Sequence, residues 1–368
     1  MVNSELEKKP NLKKGILIAI FVVFNAAIIL WTALSEFTDT ENAVKLRDIE
    51  LNGWFIIPAL LTFLIAISAE ILKYVFMMKR CCGVIDIRTA MRTFLLGRYY
   101  DNITPAAVGG QPFQFHYMKK QGIKNGYSTI IPMISMITTQ VGFLLVAIPT
   151  FIFLGNRISI GVLGSGCLGL IFYAVFPIGI ILATFFRSTV SRIVTWFVKL
   201  LSKIHIIKNL EETIEKTEKT IDQYVNCIKT IFKDKKLALS LIILSITFQV
   251  FISFIPFFVL KAFGGNIEFF TCFVTIISIS SAIYFIPTPG NAGAAEGSFF
   301  FVFSSLTSGY VFWAMLFWRL FSYYSYILAG VIIYMLIAYE KRTKHYLLDD
   351  IKAKIHEKKS KKSPEKAS

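Results

Sequence analysis

Residues 287–298 read PTPGNAGAAEGS and stand between the apolar runs ISISSAIYFI and FFFVFSSL. Two prolines, three glycines and one carboxylate interrupt a helix, because proline removes a backbone donor and glycine frees the chain to turn. In lipid, irregular backbone is tolerated only where it is buried in protein or lines a wet cavity. What such a stretch does inside a lipid-soluble protein is the question the fold must answer.

The rest of the chain makes the membrane setting unavoidable. Of 368 residues 55% are hydrophobic, 35 are Phe and only 17% are charged, too apolar for a set of soluble domains. The fold class read from this is an all-α polytopic membrane protein with about six to eight transmembrane helices. Apolar runs of spanning character lie at 15–34, 53–78, 127–154, 159–186, 237–260, 269–286 and 309–338. The first follows Lys8, Lys9, Lys13 and Lys14, is longer than a signal-peptide core and carries Trp31 where small residues belong, so it reads as a retained anchor.

Lys and Arg in the short connections set the orientation. Lys79, Arg80, Arg88 and Arg92 follow the second run, Lys119, Lys120 and Lys124 precede the third, and eleven Lys/Arg lie between Arg187 and Lys236. These segments are expected on the cytoplasmic side, with both termini. The connection Ser35 to Asn52 carries Glu36, Asp39, Glu41, Asp48 and Glu50 against Lys45 and Arg47, which suits the outer side.

That parity constrains two segments. If residues 91–115 crossed fully, every later loop would invert, so they are expected to form a hairpin entered from the cytoplasm. Residues 269–306 must likewise go in and come back, from the outer side, with PTPG at the tip.

The organisation expected is a basic segment 1–14, a membrane domain 15–340 and a basic tail 341–368 held weakly by anionic lipid. Within it, 188–236 forms an elbow. Ile193, Trp196, Phe197, Leu200, Leu201 and Ile204 fall at helical spacing there, giving either an amphipathic helix on the inner leaflet or an elbow packed on its own loops.

The two proline-bearing segments resemble one another. Thr104, Pro105 and Gly109 match Thr288, Pro289 and Gly293 in a T-P-x-x-x-G pattern, followed by a polar side chain, Gln111 or Glu296. Paired broken hairpins of this kind expose half-helix ends and turn backbone where a substrate passes. In the second, Gly290 allows close approach, while Asn291 and the amides after it could hold an anion such as phosphate.

Glu296 faces inward and needs a partner, water or a proton. Arg319 is its match by type, as a structural ion pair or as part of a site. In the first hairpin Arg98 and Asp101 share a helix face, giving mutual neutralisation or an arginine free to bind phosphate. Asn102, Gly110, Gln114 and, in the third run, Gln140 complete the candidate set, the glutamines also being able to bond neighbouring helices. Glu70 and Lys73 read as a self-neutralised pair, and Tyr323, Tyr324 and Tyr326 as packing or an interfacial belt.

Other classes of chemistry find little support. Cys81, Cys82, Cys167, Cys227 and Cys272 and the four histidines have no zinc spacing, and no G-x-x-x-x-G-K-[ST] occurs, so no metal, cofactor, disulfide framework or ATP hydrolysis is expected. The net charge of +16 is spread between apolar runs, which argues against nucleic acid.

DNITPAAVGGQPFQFHYMKKQGI and IPTPGNAGAAEGSFFF resemble the two signature regions of the lysylphosphatidylglycerol synthase transmembrane, flippase-like family, which includes the membrane half of the bacterial multiple peptide resistance factor. The resemblance runs over about residues 12–340. Many members have Gly-Glu followed by Arg where this chain has Gly110, Gln111 and Phe113, a version similar to a Gram-positive subgroup. The resemblance implies a bacterial cell-membrane protein that binds phospholipid and moves lysylated phosphatidylglycerol between leaflets, lowering surface charge against cationic antimicrobial peptides. A homo-oligomer or a separate lipid synthase is an implied partner. Phosphatidylglycerol lysyltransferase activity is the alternative; no nucleophile, base and orienting group come together in the sequence, and the soluble transferase domain is expected to be absent.

Overall fold

The computed structural model describes residues 51–104, 109–123, 125–203, 209–284, 286–308 and 310–340. The expected anchor 15–34, Pro105 and the tail 341–368 lie outside them. Every regular element among the described residues is helical, and five helices are long and apolar enough to cross a membrane. The protein is an all-α, multi-pass membrane protein.

The order is α1 (Ile56–Cys82), α2 (Ile87–Ile103), α3 (Gly110–Lys120), α4 (Asn125–Leu154), α5 (Ile160–Phe185), α6 (Arg187–Lys203), α7 (Leu210–Lys233), α8 (Lys235–Ala262), α9 (Phe269–Ile283), α10 (Ala294–Leu306) and α11 (Val311–Arg319). The last continues through a π-helical turn, Leu320–Tyr324, so that Val311–Glu340 makes one span. Both expected hairpins are present as broken helix pairs, α2/α3 and α9/α10. The arms of the first run from Ile87 to Lys120, beyond the 91–115 read from the sequence, because Asp86 starts α2 four residues early by accepting from Thr89 N at 3.0 Å and Thr89 Oγ1 at 2.6 Å.

Helix ends follow local chemistry. Gly83, at φ 69°, stops α1 in the left-handed conformation after Lys79 and Arg80 in the last turn. Asp234 caps α8 and also accepts from Arg80 Nε at 2.5 Å, which ties the end of α1 to the start of α8. The Arg80 guanidinium holds the Asp234 carboxyl below its usual range.

Packing is built around α1 and α8, with α4 and α11 alongside. Phe299, Phe303, Met77, Met78, Leu241 and Tyr326 are fully buried in it. Outward faces stay apolar, as a lipid solvent requires: Ile152, Phe153, Leu168, Phe172 and Leu328 are all exposed. Prolines inside α4, α5 and α8 are compatible with that setting.

Arg187 pairs with Asp222 at 2.5 Å and Ser191 donates to Glu218 at 3.1 Å, so α6 packs on α7. Meanwhile Ile193, Trp196, Phe197 and Leu200 remain exposed along one face of α6. Ile204 falls outside the described residues.

Candidate functional site

The two hairpin tips meet. Asn102, at the end of α2, donates from Nδ2 to Tyr323 O at 3.3 Å, and Tyr323 Oη donates back to Asn102 O at 3.4 Å. A Cβ on Gly290, at the other tip, would fall 2.3 Å from the Tyr323 ring and 3.4 Å from Asn102 O. The residue linking the tips lies in the π-helical turn, a distortion often found at functional sites.

The threonines of the repeated pattern do matching jobs. Thr104 Oγ1 donates to Tyr100 O at 2.7 Å and accepts from Gly109 N at 2.9 Å. Thr288 Oγ1 donates to Ala292 O at 2.9 Å. Each closes its own turn. In the second turn Gly290, Asn291 and Gly293 have φ of 60°, 53° and 87°, so three residues in four adopt a left-handed backbone that glycine and asparagine accept best.

Gly290→Ala is accordingly expected to cost about 1–2 kcal/mol from backbone strain alone, and to drive Tyr323 off Asn102. Thermal unfolding in detergent would register it, and an unchanged midpoint would contradict this tip geometry.

Each returning half-helix starts under a carboxylate. Glu296, at the third position of α10, reaches back to accept from Gly293 N at 2.6 Å, and its other oxygen accepts from Arg319 Nε at 2.6 Å. Both side chains are at most 5% exposed. The anion that the amides of this helix start were expected to attract is thus Glu296 itself, at least at its first N–H. At the first tip Gln111 lies against Met136 instead of supplying a charge. The carboxylate there comes from the preceding arm: Asp101 Oδ1 accepts from Gly110 N at 3.0 Å. Glycine is needed at that point, since a Cβ on Gly110 would lie 2.7 Å from Gly97 O.

Between the tips and α1, α4, α5, α8 and α11 is a cavity of about 410 Å³, inside the roughly 300–1,000 Å³ of small-molecule sites. Of the residues singled out from the sequence, Arg98, Asp101, Asn102, Gln114, Gln140, Gly290, Asn291 and Arg319 line it. Thr104, Gly109, Gly110, Gln111, Thr288, Gly293 and Glu296 are not among its described lining residues, and Pro289 begins the single 3₁₀ turn of the second tip. A larger hollow of about 650 Å³ lies at Leu51, Asn52, Gly53, Trp54 and Ile57, and none of these described lining residues is ionisable.

The two arginines differ. Arg319 is committed to Glu296, with Trp318 and Tyr323 rings 5.4 and 5.1 Å from its guanidinium carbon, yet its buried Nη2 has no hydrogen-bond partner among the described residues. Arg98 rests over the Tyr326 ring at 5.1 Å, its Nε is buried and unpartnered, and among the described residues no carboxylate lies within 4.0 Å of it. Gln140 donates to Tyr284 Oη at 3.0 Å while its Oε1 is unpartnered. Buried polar groups are ordinarily hydrogen-bonded, so open ones gathered in one wall require an explanation.

Sequence over residues 16–330 matches the family described as lysylphosphatidylglycerol synthase TM region. The chain belongs to that family. It is an integral membrane protein of the group, and the match takes in both hairpins, the cavity and Arg319. Searches of curated proteins and of solved structures gave no match.

Some cavity residues were not singled out beforehand. Glu70, read as half of a neutralised pair, turns towards the cavity, as do Tyr74, Ser135, Thr139, Tyr173, Gln249 and Tyr284. The signal for Ser135 and Thr139 was present in their i, i+4 spacing on α4. Two of the three tyrosines assigned to packing or a belt, Tyr323 and Tyr326, pack at the site itself.

Proposed function

We propose that this protein binds a phospholipid headgroup between its hairpin tips and carries the lipid between leaflets of a bacterial cell membrane, with both termini cytoplasmic. Lysylated phosphatidylglycerol is the lipid the family resemblance favours, and the consequence would be resistance to cationic antimicrobial peptides.

The observation that supports this most is Arg98. Its guanidinium has no carboxylate within 4.0 Å among the described residues, and a headgroup phosphate entering the cavity would find paired N–H donors there. Acyl chains would remain in the bilayer alongside exposed apolar faces, while the tips, held by glycine-rich turns and a π-helical segment, supply the parts able to move. The exposed face of α6 and its basic residues fit a helix lying on an anionic leaflet.

The test is transbilayer movement of a fluorescent or lysylated phospholipid in liposomes. Arg98→Ala is expected to lower the rate about tenfold or more in the folded protein, corresponding to loss of about 1.5–3 kcal/mol for a hydrogen bond to a charged group. A wild-type rate in Arg98→Ala would remove the basis for this reading. Retention of one phospholipid through purification without any movement would instead mark a lipid-holding partner of a synthase.

A further inference from the structure

Lys73 is fully buried in the middle of α1, beside the cavity. Three oxygens of different kinds converge on its Nζ: the Glu70 carboxylate at 2.9 Å, the Ser135 carbonyl at 3.2 Å and the Thr139 hydroxyl at 2.5 Å. Thr139 Oγ1 also reaches Glu70 Oε1 at 3.2 Å, so the ligand oxygens are themselves cross-linked. Glu70 forms part of the cavity wall that carries Arg98.

A carboxylate, a backbone carbonyl and a hydroxyl gathered around one positive centre inside a bilayer are hard oxygen donors of the kind that hold Na⁺ in broken-helix transporters. Here the positive centre is an ammonium on the chain. It cannot exchange with solution, and it neutralises Glu70 where an unpaired carboxylate would be strongly disfavoured.

We propose that α1 and α4 form a monovalent-cation site whose resident cation is Lys73. The cavity then keeps its charge balance without drawing Na⁺ from solution, and, resting on the function proposed above, lipid passage through it is not driven by a Na⁺ gradient. Removing the lysine charge while keeping the stem leaves the oxygen cage vacant for Na⁺.

The experiment is thermal unfolding of purified full-length protein in detergent, in NaCl or N-methylglucamine chloride at equal ionic strength. Wild type is expected to unfold at the same temperature in both. Lys73→Met is expected to have a lower midpoint that climbs with Na⁺ concentration, as binding to the folded state alone requires. A Lys73→Met midpoint indifferent to Na⁺ overturns the proposal, as does a wild-type midpoint that follows Na⁺.

Should Lys73→Met fail to fold in either salt, Glu70→Gln is added to it. The neutral pair is expected to fold and to ignore Na⁺; if folding is not recovered, Lys73 matters for packing and the cation site is refuted. None of these readouts involves lipid movement, so a failed flipping assay leaves them untouched.

Discussion

Arg319→Met is expected to destabilise the protein by about 3–5 kcal/mol, the usual result of removing one partner from a buried ion pair. The cause is Glu296, which would stay buried inside the protein with its Oε1 bereft of the 2.6 Å contact. Glu296→Gln should be milder, since an amide oxygen can still accept from Gly293 N and preserve the start of α10. Together, Glu296→Gln and Arg319→Met remove both charges, and the double variant should recover much of the loss. The coupling read from this double-mutant cycle by thermal unfolding in detergent is expected to exceed about 1 kcal/mol. Additive effects would mean that the pair does not hold the hairpin to α11.

Function should separate from stability in the same set. The double variant keeps the hairpin but presents a neutral wall next to Arg98, so its lipid movement is expected to stay low after its folding has recovered. Recovery of both would leave Glu296 and Arg319 a purely structural role.

The hairpins were legible because their sequence breaks two rules at once. Pro289 with Gly290 and Gly293 within five residues makes a poor continuous helix, and the basic residues between Arg187 and Lys236 argue by parity against a full crossing of residues 91–115. The pairing of Glu296 with Arg319 was legible by type, since two opposite charges in apolar helices have few other ways to be accommodated. The carboxylate at the first tip was not. Attention falls on the position after Gly110, occupied by Gln111, whereas Asp101 reaches Gly110 N from nine residues earlier, across the turn. A contact of that sort depends on how the arms close and leaves no periodic trace. Glu70 was hidden differently, because an i, i+3 pair with Lys73 satisfies itself on paper, and only the packing of α4 reveals that the Ser135 carbonyl and Thr139 hydroxyl complete the shell of the Lys73 ammonium.

The arm that delivers the second tip is held by an unusually close helix crossing, and a single methyl group should loosen it. A Cβ on Gly169 in α5 would fall 2.3 Å from Ser281 O in α9, a backbone atom with no rotamer to escape by, and one on Gly166 would fall 2.7 Å from Ser278 Oγ. Small residues let membrane helices approach to this distance, where dispersion and polar contacts replace the hydrophobic drive that lipid cannot provide. Gly169→Ala is therefore expected to cost about 1–3 kcal/mol through overpacking, although alanine is the better helix former by about 1 kcal/mol. Gly164→Ala is the internal control, since nothing lies within 4 Å of its added Cβ, and it should be neutral or slightly stabilising. Displacing α9 also moves Tyr284, which holds Gln140 at 3.0 Å across the cavity, so Gly169→Ala should slow lipid movement while Gly164→Ala does not. Equal melting temperatures for the two alanine variants would show that the crossing is looser than 2.3 Å implies, and with it the placement of the second tip against the cavity.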